Sequence, residues 1–281
     1  MRKHQGWIAL DIDGTLTDAT HHVPPEVASY LSSLYQKGWE LIFLTGRPFS
    51  FGIRALQFNF PFYLALQNGA DILEMPRKHL VSRCYLPASM LQEMEKIYEH
   101  QPEDFIVYSG VDHGDFCYFR PQKFSERMLR HLQVIMPLSN EPWKAVPRFD
   151  LSGNFPLIKC LGTRSSMQRI HAELSLLPQI TATFIRDPFA ADVYLNLVTH
   201  SDATKGKALR RVREEVGTGG PIIAGGDDLN DISMLQIADY KIVLSTAPKE
   251  MHAMADFLAK PSTEMGIIEA LEEATSHVKS I

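Results

Sequence analysis

Near its start the chain runs Trp7-Ile8-Ala9-Leu10 and then breaks at once into Asp11-Ile12-Asp13-Gly14. A run that is apolar at every position belongs to a strand buried on both faces, and such strands sit in parallel sheets covered by helices. The pattern recurs. Residues 40–44 and 62–66 read as further strands, ending at Thr45-Gly46-Arg47-Pro48 and Gln67-Asn68-Gly69-Ala70. Between the first two strands, residues 24–37 place Val27, Leu31 and Leu34 on one helical face, with prolines opening the helix and Gly38 closing it. A further helix is expected between Pro48 and Phe62. After Ser201 the alternation resumes with a helix over 203–216, a strand over 221–224 and an acid-rich loop. Strand, loop and helix in this order predict an α/β fold around a parallel sheet.

The middle of the chain has a different rhythm. Strands are expected at 105–109, 116–119, 157–162, 181–185 and 193–198, with helices at 125–135 and 167–177. Gly, Pro and Asn gather over 137–156, which predicts a long loop. A chain of 281 residues holds one large domain or two modest ones. The economical arrangement is a core made from both chain ends, 1–83 and 199–281, with a second α/β domain, 84–198, inserted between them.

Charge and cysteine content narrow the function classes. The formal net charge of -5 gives no basic field for gripping nucleic acid. The basic cluster from Lys205 to Arg213 runs straight into Glu214 and Glu215 and reads as a solvated helix face. Three cysteines, Cys84, Cys117 and Cys160, are widely spaced with no Cys-x-x-Cys pair, as expected of reduced thiols in a cytoplasm. The first apolar run is too short for a signal segment or a membrane span.

Four polar stretches fall at or near the ends of expected core strands, the edge where open parallel sheets bind ligands. Asp11 and Asp13 are alternate residues on an extended strand end and can face one site. One carboxylate can attack phosphorus, and the other can serve as general acid and base. Gly14 permits a sharp turn. In the second stretch Thr45 offers a hydroxyl for a phosphoryl oxygen, followed by Gly46. In the third, Lys205 opens a helix, where the macrodipole disfavours a cation unless an anion is held beside it. In the fourth, Asp227, Asp228, Asn230 and Asp231 crowd within five positions, which calls for a counter-ion. Hard oxygen ligands there point to Mg²⁺. Taken singly, each stretch also fits an ordinary turn or an exposed helix lysine. His21-His22 reads as a surface pair.

Together Asp-Ile-Asp-Gly-Thr-Leu-Thr, Leu-Thr-Gly-Arg, Lys-Gly-Lys-Ala-Leu and Gly-Asp-Asp-Leu-Asn-Asp resemble, in order and spacing, the phosphatases of the haloacid dehalogenase superfamily. Asn68-Gly69-Ala70 is similar to a stretch of the Cof-type branch, subfamily IIB. The resemblance covers essentially the whole chain, the middle only by length and coarse pattern. It implies a Rossmann-like parallel-sheet core with an inserted α/β cap that sets substrate specificity. It implies Asp11 as nucleophile, Asp13 as general acid/base, and Mg²⁺ held by Asp11, the Asp13 carbonyl and Asp227 with Asp231 close behind. It places Thr45, Gly46, Lys205 and Asn230 around the phosphoryl group, with Arg47 and Asn68 as lining residues. One departure is Leu244-Ser245-Thr246-Ala247, where the family usually shows Met-Gly-Asn-Ala.

The expected activity is hydrolysis of a small phosphorylated metabolite in the cytoplasm, by a monomer or homodimer that binds neither nucleic acid nor membrane. Phosphotransfer or mutase chemistry on the same scaffold is the rival enzyme class, and a non-catalytic binding protein the third alternative. Asp228 has no chemical task and is expected to cap its loop or face solvent.

Overall fold

The computed structural model describes residues 3–139, 142–150, 153–187 and 189–278. The chain divides into two compact units, Met1–Ser82 with Thr204–Ile281, and Arg83–Ala203. In chain order the strands are β1 (Gly6–Asp11), β2 (Trp39–Leu44), β3 (Phe62–Leu66), β4 (Asp71–Met75) and β5 (His79–Arg83). Next come β6 (Phe105–Tyr108), β7 (Cys117–Phe119), β8 (Trp143–Ala145), β9 (Leu157–Gly162), β10 (Ile180–Arg186) and β11 (Tyr194–His200). The chain returns to the first unit with β12 (Ile222–Gly226), β13 (Tyr240–Leu244) and β14 (Phe257–Ala259).

The first unit is built on a sheet ordered β14-β13-β12-β1-β2-β3-β4-β5. From β14 to β3 every pairing is parallel. β1 lies inside this stretch, Trp7 opposite Ile222 on one side and Asp11 opposite Leu44 on the other. All its residues are buried, as the unbroken apolar run demands. Trp7 and Ala9 pack with Ala208, Leu209 and Val212 of the helix Lys205–Val216. Ile8 and Leu10, on the opposite face, are equally closed off. Because the pairings are parallel, β1, β2 and β12 all end at one sheet edge.

The sheet is mixed rather than purely parallel. β3 pairs antiparallel with β4, Leu64 opposite Leu73, and β5 lies outside that. β5 is half-exposed along its length, so it lacks the apolar run that marks the inner strands. The helix expected after Pro48 is only Phe49–Gly52, followed by a single 3₁₀ turn. Beyond that turn, Phe58 packs against Phe43 and stacks on Phe60, and these ring contacts hold the segment instead.

The second unit carries a sheet ordered β10-β11-β9-β6-β7-β8, antiparallel except for the β7–β8 pair. Alternate residues of β6 serve two cores. Phe105 and Val107 join Met90, Met94, Met167 and Ile170, while Ile106 and Tyr108 join Met128, Leu132 and Ile135. Helices Met90–Ile97 and Arg164–Leu174 therefore pack on one face and Glu126–Ser139 on the other. The expected start at residue 167 is late by about one turn, because Thr163 caps the helix by accepting the Ser166 N–H.

The loop expected over 137–156 needs correction. The helix runs through Pro137 to Ser139, and β8 follows, its Trp143 edge-on to Phe119 at 5.5 Å. Residues 140, 141, 151 and 152 of that stretch lie outside the described residues. Arg120 is buried, donating Nε and Nη2 to Asp104 at 2.7 Å each and pairing with Glu95. The two ends of this unit meet, Cys84 Sγ lying 3.4 Å from His200 Nδ1. The expected return point after Val198 falls inside β11. Among the described residues no helix is long and apolar enough to cross a membrane.

Candidate active site

Asp11 is the last residue of β1, and Asp227 follows directly on β12. Lys205 opens its helix behind the Thr204 cap, whose side chain accepts the Lys207 N–H. Asp231 closes a 3₁₀ turn, Leu229–Asp231. These elements bring one oxygen each of Asp11, Asp227 and Asp231 within 4.8 Å of one another. Lys205 Nζ, fully buried, donates to Asp11 Oδ1 and to Asp231 Oδ1.

The loop after β12 is wound around Asp231. Its Oδ2 accepts the N–H groups of Asp227 and Asp228, each at 3.0 Å. Asp228 caps the turn by accepting the Leu229 N–H at 2.7 Å, and its side chain is exposed. Thr15 Oγ1 donates to Asp227 Oδ1 at 3.0 Å. Gly14 has φ +77°, and a β-carbon there would fall 2.2 Å from Asp227 Oδ2. A side chain at Gly14 is therefore excluded by conformation and by space.

Three acids and one ammonium share this cluster. Burial raises the Asp11 carboxyl well above its ordinary range, with Lys205 pulling it back and Asp231 and Asp227 pushing it up. Burial and then the Asp231 charge push Asp227 up to about 6. Burial opposes the Lys205 charge, but Asp11 and Asp231 outweigh it and hold the amine protonated. The surplus of crowded negative charge and the all-oxygen donor set fit a hard divalent cation. Asp231 has little capacity left for one, since Oδ2 already takes two N–H groups and Oδ1 the lysine.

The other candidates form two linked groups. The Asp13 carboxylate is outside the acid cluster and pairs with Arg47, so Arg47 is a partner of Asp13 before it is a lining residue. Thr45 is buried, and its Oγ1 accepts the Arg47 N–H at 3.0 Å. Asn68 donates its N–H to the Thr45 carbonyl at 2.9 Å and accepts from Asn230 Nδ2 at 3.2 Å. Thr45, Asn68 and Asn230 thus make a chain across three loops. At Gly46 a β-carbon would sit 3.6 Å from Asn68 Oδ1, an ordinary contact, so packing alone does not require glycine there.

Two residues with clear roles escaped the sequence reading. Thr15 lies inside the first motif, and its hydroxyl position beside two acids was the available signal. Arg211 donates to the Gly69 carbonyl; it looks like any other basic residue on a solvated helix face, so no signal marked it.

A family model for haloacid dehalogenase-like hydrolases matches residues 8–271. The YxeH protein of Bacillus subtilis (strain 168) is 24% identical over 273 residues, covering 95% of this chain and 97% of that protein. A haloacid dehalogenase-like hydrolase from Bacteroides thetaiotaomicron superposes with a TM-score of 0.76 at 20% identity, covering 97% of this chain and 100% of the other. The HAD subclass IIB sugar phosphatase BT4131 superposes with a TM-score of 0.73 at 21% identity, over 96% and 99%. At these identities the structural matches speak to the fold.

Proposed function

The chain belongs to the haloacid dehalogenase-like hydrolases, and on that premise we propose that it is a Mg²⁺-dependent phosphatase of small phosphomonoesters, sugar phosphates or related metabolites. Lys205 carries this reading. An ammonium sealed between Asp11 and Asp231, with Asp227 alongside, is what a carboxylate needs to meet a phosphate dianion. The likeness to a fold whose solved members include a sugar phosphatase supports the substrate class.

In this mechanism an Asp11 oxygen attacks phosphorus, the P–O bond to the leaving group breaks, and Asp13 gives its proton to the departing oxygen. Water, deprotonated by Asp13, then attacks the aspartyl-phosphate, the Asp11–phosphorus bond breaks, and phosphate leaves with the carboxylate restored. Lys205, the Thr45 hydroxyl and the Asn230 amide hold phosphoryl oxygens, and Gly46 leaves room for them. Arg47 directs the Asp13 carboxyl. Mg²⁺, when bound by Asp11, the Asp13 carbonyl and Asp227 with Asp231 behind, supplies positive charge against the phosphoryl oxygens. Residues 1–83 and 199–281 serve as the catalytic core and 84–198 as the part that selects the leaving group, in a cytoplasmic monomer or homodimer.

The test is phosphate release across a panel of phosphorylated metabolites, with Mg²⁺ or chelator, for the wild type and Asp11→Asn. Release is expected to need Mg²⁺ and to fall by about 10³-fold or more in the variant. If no compound gives release above the variant, hydrolysis is wrong; phosphate moved to a second hydroxyl without release would identify a phosphotransferase.

A further inference from the structure

Gln67, Asn68 and Gly69 have φ of +51°, +58° and +100°, consecutive residues in a region that L side chains rarely adopt. A run like this persists only where its surroundings over-determine it. Here the surroundings are identifiable. Gln67 donates its N–H to the Arg47 carbonyl at 3.1 Å, and Asn68 donates to the Thr45 carbonyl at 2.9 Å. Gly69 is pressed against the helix Lys205–Val216, where a β-carbon would meet the Ala208 β-carbon at 2.4 Å. The Gly69 carbonyl accepts from Arg211 Nη2. The Gln67 Oε1 is buried and has no hydrogen-bond partner among the described residues.

We propose that Arg211 is a positioning residue of the phosphoryl-binding site, acting through the Gln67–Gly69 turn. The proposal rests on the phosphatase reading. One helix presents Lys205 to the acid cluster and, further along, Arg211 to the turn. The Asn68 side chain then carries the position of that turn to Asn230, and its backbone carries it to Thr45. Without the guanidinium, the Gly69 carbonyl loses the donor that fixes the Gly69–Ala70 peptide at the end of the turn, and the turn relaxes toward ordinary backbone angles. Asn68 Oδ1 then shifts against Asn230. The loss falls on transition-state alignment more than on substrate affinity.

The experiment combines kinetics with amide hydrogen exchange on the full chain. Arg211→Ala is expected to lower kcat by about 10- to 100-fold, the scale of a misplacement near an ångström, with KM changed by less than about threefold. Arg211→Lys should recover most of the rate, because an ammonium can still donate to the Gly69 carbonyl. Asn68→Ala should show a similar loss, and the Arg211→Ala/Asn68→Ala double variant should be no slower than Asn68→Ala within about twofold. Exchange at the Asn68 and Ala70 amides should accelerate in Arg211→Ala. Additive losses in the double variant, a lysine variant as slow as alanine, or unchanged exchange would each overturn the proposal. Wild-type protein that releases no phosphate would sink the phosphatase reading instead, and the exchange rates would still decide whether Arg211 holds the turn.

Discussion

Replacing Asp227 with Asn should make the metal-free protein more stable while removing its response to Mg²⁺. Burial, then the charge of Asp231, raises the Asp227 carboxyl from 3.8 to about 6. The folded protein therefore holds this proton more tightly than the unfolded chain does. Its stabilising effect is complete below about pH 4 and is lost as pH climbs from about 4 to about 6. A shift of about 2 units at about 1.4 kcal/mol each places the neutral-pH cost near ~3 kcal/mol. Asparagine keeps an Oδ1 to accept the Thr15 hydroxyl, which Asp227 accepts at 3.0 Å, but brings no charge. At pH 7.5 in EDTA the variant should thus be more stable than wild type by ~3 kcal/mol, at about 2–4 °C of melting temperature per kcal/mol. At pH 4 the difference should nearly vanish. Mg²⁺ at 100 times its Kd should add about 2.7 kcal/mol to the wild type and much less to the variant. Scanning calorimetry at both pH values, with and without Mg²⁺, checks all of this. Wild type more stable than the variant in EDTA at pH 7.5, or equal Mg²⁺ stabilisation of both, would refute the reasoning.

Gly14→Ala forces a β-carbon into a backbone with φ +77° and onto Asp227 Oδ2. The conformational strain is about 1–2 kcal/mol, but phosphate release should fall about 100-fold or more because the acid is displaced, so kcat should drop further than the melt predicts. In the second unit, Arg120→Met leaves Asp104 buried without its bidentate partner. The unit should lose about 3–5 kcal/mol, read as faster hydrogen exchange at Phe105–Tyr108 with β1 amides unchanged.

What could be read from the chain was whatever leaves a mark in side-chain chemistry. β1 was legible because burial on both faces removes every polar residue from Trp7 to Leu10. The acids and Lys205 were legible because motif spacing ties them to strand ends, and the structure draws Asp11, Lys205, Asp227 and Asp231 into one cluster. Asp228 was expected to cap its loop or face solvent, and its exposed side chain caps the turn that follows. β5 was not legible, since an edge strand half-exposed along its length carries no apolar run; in β4 the apolar pair Ile72-Leu73 is cut off by Glu74, too short a run to mark a strand. Arg47 was expected to line the site, yet its side chain is taken up by Asp13. That pairing depends on how two loops face each other, which no local pattern records. Arg211 was hidden more completely, because its partner is a backbone carbonyl, the same group at every residue of the chain.

The meeting of Cys84 with His200 at the ends of the second unit bears on how such a chain reaches its fold. β1 cannot complete its ladder until β12 exists, since Trp7 pairs with Ile222. During synthesis the first strand must therefore wait for almost everything that follows it, while the second unit is contiguous in sequence and free to collapse early. Once that unit has folded, residues 84 and 200 are side by side, 3.4 Å apart through their side chains. The long excursion between the two halves of the sheet is then short-circuited. Loop-closure entropy grows only as the logarithm of length, about 0.6 kcal/mol per doubling, so the equilibrium gain is small. The kinetic gain is larger, because a knot of ordered chain replaces more than a hundred wandering residues in the search for β12.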